Sequence, residues 1–323
     1  MIDKENLKKY LRIVGIILFF YILSQVNWSE FILIFKRINI FYFIIGVIFI
    51  FPVILTRTLK WKELINSLNI TIPLKALIPP FVKGLFWGIV TPGKLGEFFR
   101  AKYLTDKISD ISLGKALFTV VFDKLIDFLS TAFISILAII ALIFLFEVKN
   151  FFITSIFLAF FISLILFFFI KKDLSKRLLN EIFKIFIPKS LEEKTNVFID
   201  EFFEGTKNLN KTLIFKLFYY DIVTFLLTTI SQFFIGFSLS LKLPFWYLFL
   251  TIPLVSLITI LPISILGIGT REVSYIFLLS LLGINLNEAV AFSFLVMLWS
   301  LISGLPGLFF LYFQKEKFLK YEY

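Results

Sequence analysis

Six stretches of this chain run for 19 or more residues without a single Asp, Glu, Lys or Arg: 38–56, 128–146, 150–170, 222–241, 243–270 and 289–314. A helix needs about 20 mostly apolar residues to cross roughly 30 Å of hydrocarbon. In lipid such a segment has to be helical, because only a helix satisfies its own backbone polar groups. Two shorter stretches, 13–29 with 17 residues and 273–287 with 15, bring the expected number of crossings to eight. The first has the length of a signal-peptide core. No small-x-small cleavage site follows it in Leu23-Ser24-Gln25-Val26-Asn27-Trp28, so it reads as an uncleaved first span. The chain is 59% hydrophobic, against roughly 45–50% for soluble domains, which excludes a water-soluble globular protein. It has no Cys and no His, which excludes disulfides, thiolate–metal sites, catalytic cysteine and imidazole chemistry. The formal net charge of +11 fits cytoplasmic loops and anionic lipid headgroups rather than nucleic acid.

Lys and Arg set the expected orientation. They cluster at Lys4, Lys8, Lys9 and Arg12, at ten positions in 171–216, and at Lys315, Lys317 and Lys320, while the links at 147–149 and near Lys242 are nearly bare. The positive-inside rule places both termini and 171–216 in the cytoplasm of a cell-membrane protein. Eight crossings agree with this if 273–287 spans as part of a broken helix. If it is re-entrant, the count is seven and the C-terminus lies outside. The segment 171–216 is expected to form two amphipathic helices on the inner membrane surface, one carrying Leu178, Leu179, Ile182, Phe183, Ile185 and Phe186, the other Phe198, Phe202 and Phe203, split by Pro188. It is too short for an independent catalytic domain. The expected organisation is therefore a single membrane domain over 1–323, with a first half at 1–170, a linker at 171–216 and a second half at 217–323.

Each half contains one segment that breaks the span pattern. The first runs from Lys83-Gly84 through Gly88, Thr91-Pro92-Gly93-Lys94-Leu-Gly96-Glu97 to Arg100-Ala-Lys102. The second is Pro262-Ile-Ser264-Ile-Leu-Gly267-Ile-Gly269-Thr270-Arg271-Glu272. Gly and Pro end a helix and free backbone groups that need partners. Those groups cannot face lipid, so they are buried in protein or line a wet cavity. A matched pair of interrupted segments is the strongest sequence pointer to a transporter site; the plainer alternative is two tight interfacial loops. The helices opening after Gly96 and Thr270 offer N-terminal amides to an anion, and Arg100 and Arg271 can hold a phosphate bidentately. Glu97 and Arg100 share a helix face and can equally pair with each other.

Asp123, Lys124 and Asp127 open the span that ends at Phe146. Charges inside a span are costly, so they either face a cavity or a partner, or sit at the interface with Lys124 snorkelling. Asp221 reads as an exposed helix end, and Arg57, Lys60, Trp61 and Lys62 as an interfacial anchor. Gly84-xxx-Gly88 and Gly304-xx-Gly307 read as close helix packing.

These residues carry a resemblance. Gly88-Ile-Val-Thr91-Pro92-Gly93-Lys-Leu-Gly96-Glu97-Phe-Phe-Arg100-Ala, then Asp123-Lys124-Leu-Ile-Asp127, then Pro262 to Glu272 resemble the lysylphosphatidylglycerol synthase transmembrane region, a flippase-like integral membrane family that includes the YbhN-like proteins. The likeness covers essentially the whole chain. It implies a polytopic lipid-handling protein; in the multiple peptide resistance factors, this region moves aminoacylated phosphatidylglycerol to the outer leaflet, beside a soluble aminoacyl-transferase domain. Some archaeal relatives carry a glycosyltransferase instead. The residues up to Tyr323 contain neither domain. Lys124 stands where the family pattern leads one to expect Arg.

The resulting expectation is an all-α polytopic membrane protein of two pseudo-repeat halves, each with a Gly/Pro-broken segment. It would translocate an anionic phospholipid or polyprenyl-phosphate lipid, using Thr91, Gly93, Gly96, Glu97, Arg100, Asp123, Lys124, Asp127, Gly267, Gly269, Thr270, Arg271 and Glu272. The phosphate would meet Arg100, Arg271 and the amides after Gly93 and Gly267. The carboxylates would bind a cationic headgroup part, gate the cavity or carry protons. No cofactor, metal or nucleic-acid partner is expected, and no G-x-x-x-x-G-K-[ST] loop is present to support ATP drive. Two other classes stay open. A membrane-embedded lipid-dependent transferase is disfavoured because the first outer loop offers only Glu30. A non-catalytic partner would hold a soluble synthase or glycosyltransferase through 171–216.

Overall fold

The computed structural model describes residues 17–107, 111–147, 192–260 and 267–313, and every regular element among them is helical. In chain order these are α1 (Ile17–Gln25), α2 (Trp28–Lys36), α3 (Ile40–Ile48), α4 (Ile50–Asn66), α5 (Leu74–Val90), a 3-10 turn (Pro92–Phe98), α6 (Phe99–Lys107), α7 (Leu113–Phe146), α8 (Glu192–Gly205), a short 3-10 turn (Thr206–Asn208), α9 (Lys211–Ser238), α10 (Phe245–Ile260), α11 (Thr270–Ser280) and α12 (Leu286–Phe313). The expected span 150–170, the first amphipathic helix, Pro188, Pro262 and Ser264 lie outside the described residues.

Among the described residues four elements are long and apolar enough to cross a membrane: α3 with α4 as one 27-residue span, α7, α9 and α12. The bent pair α1–α2, with 86° between its arms, makes a fifth if it counts as one span. The break at Val26-Asn27 is where Asn27 caps α2 by accepting the Glu30 amide, so the first apolar stretch ends at a sharp bend rather than continuing as one long helix. Of the stretch 243–270, Phe245–Ile260 is described as helix α10, and 273–287 begins on an 11-residue helix, α11. At 1.5 Å per residue α11 reaches about 16 Å, half a bilayer.

The outer surface is apolar: Phe41, Phe51, Phe144, Phe215 and Phe313 are all at least two-thirds exposed. Soluble proteins do not tolerate such surface, whereas lipid covers it without cost. Inside, α5 packs along α12 because Gly304 and Gly307 let the backbones approach. A Cβ on Gly307 would stand 2.1 Å from the Val82 carbonyl oxygen. Gly84 and Gly88 do the same for the returning chain: a Cβ on Gly88 would sit 2.6 Å from Glu97 Cγ, and one on Gly84 3.3 Å from Arg100 Cβ. The small residues thus place Glu97 and Arg100 against α5.

The second helix expected in the linker, α8, packs on α7. Phe202 meets Phe118 of α7 edge-on at 5.9 Å, and Ile199 is buried. Lys211 and Lys216, counted above in the linker, belong to the first turns of α9, capped by Asn210, which accepts the Leu213 amide.

Candidate functional site

Two features converge at the centre of the bundle. The first is a network of buried and half-buried charges. Arg57 and Lys60 lie three apart on α4, on one face; Asp123, Lys124 and Asp127 lie on α7, Glu97 on the 3-10 turn, Arg100 on α6 and Asp221 on α9. Lys60 Nζ lies 3.0 Å from Asp123 Oδ1 and 2.7 Å from Asp221 Oδ1, and also donates to Asp127. Asp221 accepts in addition from the Ser130 hydroxyl at 2.7 Å. Arg100 Nη2 pairs with Asp123, and its guanidinium lies 5.1 Å and 5.2 Å from the Trp61 and Phe81 rings. Glu97 Oε2 faces three cations: Lys124 at 2.5 Å, Arg57 at 3.6 Å and Arg100 at 3.9 Å. Asp127 also meets Lys124 at 3.0 Å and Arg57 at 3.7 Å.

An unpaired charge in this setting would cost several kcal/mol; here every carboxylate faces at least one cation. This corrects two expectations. Arg57, Lys60 and Trp61 are not an interfacial anchor, because α4 continues to Asn66 and carries them inside the bundle, with Lys60 1% and Trp61 0% exposed. Asp221 is not an exposed helix end but 4% exposed and paired to Lys60. Of the two readings of Asp123, Lys124 and Asp127, the structure has the partnered one.

The second feature is a cavity of about 180 Å³ between the two interrupted segments. Gly88, Thr91 and Lys94 line it from the first, Gly267 and Arg271 from the second, and Thr228, Gln232, Thr259, Tyr275 and Ser300 from the surrounding helices. A second cavity of about 120 Å³ shares Gly88, Ile89, Lys94, Trp299 and Ser300 with it and is walled further by Arg57 and Glu97. Lys94 therefore stands between the cavities. Its backbone is left-handed at φ 57°, a conformation non-glycine residues adopt only when the surroundings impose it.

The polar chain ends at both breaks are held locally. The Thr91 hydroxyl donates to the Trp87 carbonyl and accepts from the Gly96 amide at 2.6 Å, and the Lys94 amide donates to the Thr91 carbonyl. A Cβ on Gly96 would stand 2.2 Å from the Trp87 carbonyl oxygen, so only glycine fits. In the second segment Gly267 and Gly269 have φ of 73° and 85°. The Gly269 amide donates to Glu272 Oε2 at 2.5 Å, Ser293 donates to Glu272 Oε1 at 3.2 Å, and the Thr270 hydroxyl donates to the Gly267 carbonyl. Glu272 thus caps its own helix, 3.7 Å from Arg271 Nε.

Of the expected site residues, the structure brings Thr91, Gly267 and Arg271 to the larger cavity and Glu97 to the smaller. Arg100, Asp123, Lys124 and Asp127 lie in the ion network, which ties to the smaller cavity through Glu97. Gly93 lies in the 3-10 turn, and Gly96, Gly269, Thr270 and Glu272 shape the breaks. The amides of Lys94, Gly96 and Gly269 are taken by the protein's own oxygens, so side chains rather than helix ends face the cavity. Sequence reasoning missed Lys94, although it stands inside the quoted motif, and Thr228, Gln232, Thr259 and Tyr275, which carried no local signal.

Fold and site together define a multi-pass membrane protein, helical throughout its described regular elements, whose interrupted segments meet at a cavity lined by Lys94 and Arg271. The chain belongs to the lysylphosphatidylglycerol synthase transmembrane region family, whose model matches residues 11–307. Comparison with curated proteins and with solved structures finds no match to this chain.

Proposed function

We propose that this protein translocates an anionic phospholipid or polyprenyl-phosphate lipid between the leaflets of the cell membrane, not as an enzyme and without ATP. One observation carries the reading: each interrupted segment contributes one cation, Lys94 and Arg271, to a single cavity inside an apolar bundle. A phosphate is the membrane group that two such cations suit, and a cavity where broken helices meet is where transporters bind their substrate.

The element order supports two pseudo-repeat halves. Each half has an apolar helix before its interrupted segment, a shorter helix after it and then a long apolar helix: α5, α6 and α7 in the first, α10, α11 and α12 in the second. In this reading the full chain makes eight crossings with both termini in the cytoplasm, and the ion network ties α4, α6, α7 and α9 into a gate beside the cavity. Translocation is passive or ion-coupled. A transferase would need a polar reaction centre reachable from an outer loop. Glu30, the outer-loop carboxylate considered for that role, is held by Asn287, which donates to it, and this favours translocation. A scaffold for a soluble partner needs no cationic cavity.

The test is lipid movement in vesicles reconstituted with the purified protein. Arg271→Gln keeps size and some donors but removes the charge. A charged hydrogen bond is worth about 1.5–3 kcal/mol, so lipid affinity should fall about ten- to a hundredfold and movement should stop. Normal movement by Arg271→Gln refutes the phosphate site.

A further inference from the structure

The four carboxylates of the ion network are unequally held. Among the described residues, Glu97 faces Lys124, Arg57 and Arg100, and Asp127 faces Lys60, Arg57 and Lys124. Asp123 faces Lys60 and Arg100. Asp221 faces Lys60 alone, at 2.7 Å, and shares it with two other carboxylates. Its second oxygen accepts from the Ser130 hydroxyl, a neutral donor. Asp221 is 4% exposed, so water does little to support its charge.

The helices packed on α9 add little. On α4, Arg57 acts on Asp221 only at longer range, and on α7 Asp127 opposes it. α3 and α10 carry no Asp, Glu, Lys or Arg. The one such residue of α12, Glu288, accepts the Asn285 amide at that helix's first turn. On α9 itself Lys216 pairs with Glu63. The chain has no His, the side chain that ordinarily changes charge between about pH 5 and 8. A proton site in this bundle therefore has to be a group displaced by its setting, and Asp221 is the carboxylate with the least fixed positive charge against it.

α9 links this carboxylate to the larger cavity. Asp221, Thr224, Thr228 and Gln232 follow one another at helical spacing and share a face, and Thr228 and Gln232 stand in the cavity wall. Asp221 and Thr228 are two turns apart, about 10 Å along the axis. At that separation and an effective dielectric of about 20, one unit of charge alters the affinity for an anion by about tenfold.

We infer that Asp221 is a proton-binding site coupled to the lipid cavity. Arg57, Lys60, Arg100 and Lys124 balance the four ionised carboxylates. A proton taken from water forms an O–H bond on Asp221 and brings the network to one positive charge. An anionic headgroup in the cavity cancels that charge, so proton and lipid anion bind together, and the proton returns to water when the lipid leaves. The inference rests on the reading that this cavity receives the lipid, and it makes the movement proton-coupled rather than passive.

Calorimetry of short-chain phosphatidylglycerol binding to the detergent-purified chain, in buffers of different ionisation enthalpy, counts the protons taken up per lipid bound. The phosphodiester of the probe keeps its charge near neutral pH, so any proton goes to the protein. A tenfold coupling gives at most about half a proton per lipid, at a pH between about 5 and 8, with affinity falling about tenfold as pH rises through that point. Asp221→Asn should show no uptake per lipid bound, whatever its affinity, and Asp221→Glu should restore it. Binding to the unaltered protein without proton uptake anywhere in this range overturns the inference, as does uptake that persists in Asp221→Asn. Vesicle assays separate the two claims. Proton uptake without lipid movement refutes translocation and leaves the proton site standing; movement at a rate indifferent to pH, by a protein that binds lipid without uptake, does the reverse.

Discussion

Lys60 is the residue on which the interior depends most. Its amine is shared by Asp123, Asp127 and Asp221, from two helices that are otherwise separate in sequence. Lys60→Met would leave those carboxylates short of a cation in a dry setting and should lower unfolding stability by about 3–5 kcal/mol. Asp221→Asn leaves Lys60 its other two partners and should cost about 1–3 kcal/mol. Chemical or thermal denaturation in detergent measures both, and a Lys60→Met protein as stable as the parent would contradict the network. Arg271 behaves oppositely. Glu272 keeps the Gly269 amide and the Ser293 hydroxyl without it, so Arg271→Gln should melt near the parent temperature while losing lipid movement. None of the pairing of Lys60 was legible in the sequence. Arg57 and Lys60 follow the apolar stretch 38–56 and read as its end, because nothing local says that the helix continues to Asn66. The Lys60 partner Asp221 lies 161 residues away. The one available signal was the three-residue spacing, which puts both cations on one helix face.

Between elements, glycine decides how closely α5, α12 and the returning 3-10 turn approach. At Gly307 the obstacle to a Cβ is backbone, the Val82 carbonyl oxygen at 2.1 Å; at Gly304 it is the far end of a side chain, Ile89 Cδ1 at 2.8 Å. Gly307→Ala should therefore destabilise by about 1–3 kcal/mol, while Gly304→Ala should be nearly neutral, because Ile89 can turn aside. Equal melting temperatures for the two variants would show that this contact is looser than the geometry indicates. The close packing of these small residues was readable from their spacing, since it needs only a helix and a neighbour. What the Gly84 and Gly88 face would meet was not readable: it holds the Glu97–Arg100 segment, which returns through a 3-10 turn with Lys94 in a left-handed conformation. Hydropathy marked the apolar stretch 243–270 but could not show the turn at 267–269, with Gly267 and Gly269 at positive φ, after which a separate helix begins at Thr270. Such a break depends on tertiary partners for freed backbone groups rather than on local apolarity.

For the whole molecule, the all-helical membrane class and both interrupted segments were legible, because lipid imposes helices and because Gly and Pro punctuate them. The joining of those segments in one cavity was suggested only by their likeness, and the polar wall groups from α9, α10 and α12 were invisible. Orientation rests on Lys and Arg asymmetry alone. A cysteine at Lys189, in a chain without native Cys, should react with an impermeant reagent only after permeabilisation, and ready labelling in intact cells would reverse the topology. The central claim is that lipid headgroups pass through the cavity between the two breaks. Thr91→Cys and Thr259→Cys stand on opposite segments of its wall, so a bifunctional, reducible thiol reagent should tie them together. Reconstituted in vesicles, the tied protein should stop moving phosphatidylglycerol and recover on reduction, while either single variant treated alike keeps moving it. Undiminished movement with the cross-link complete would contradict the account.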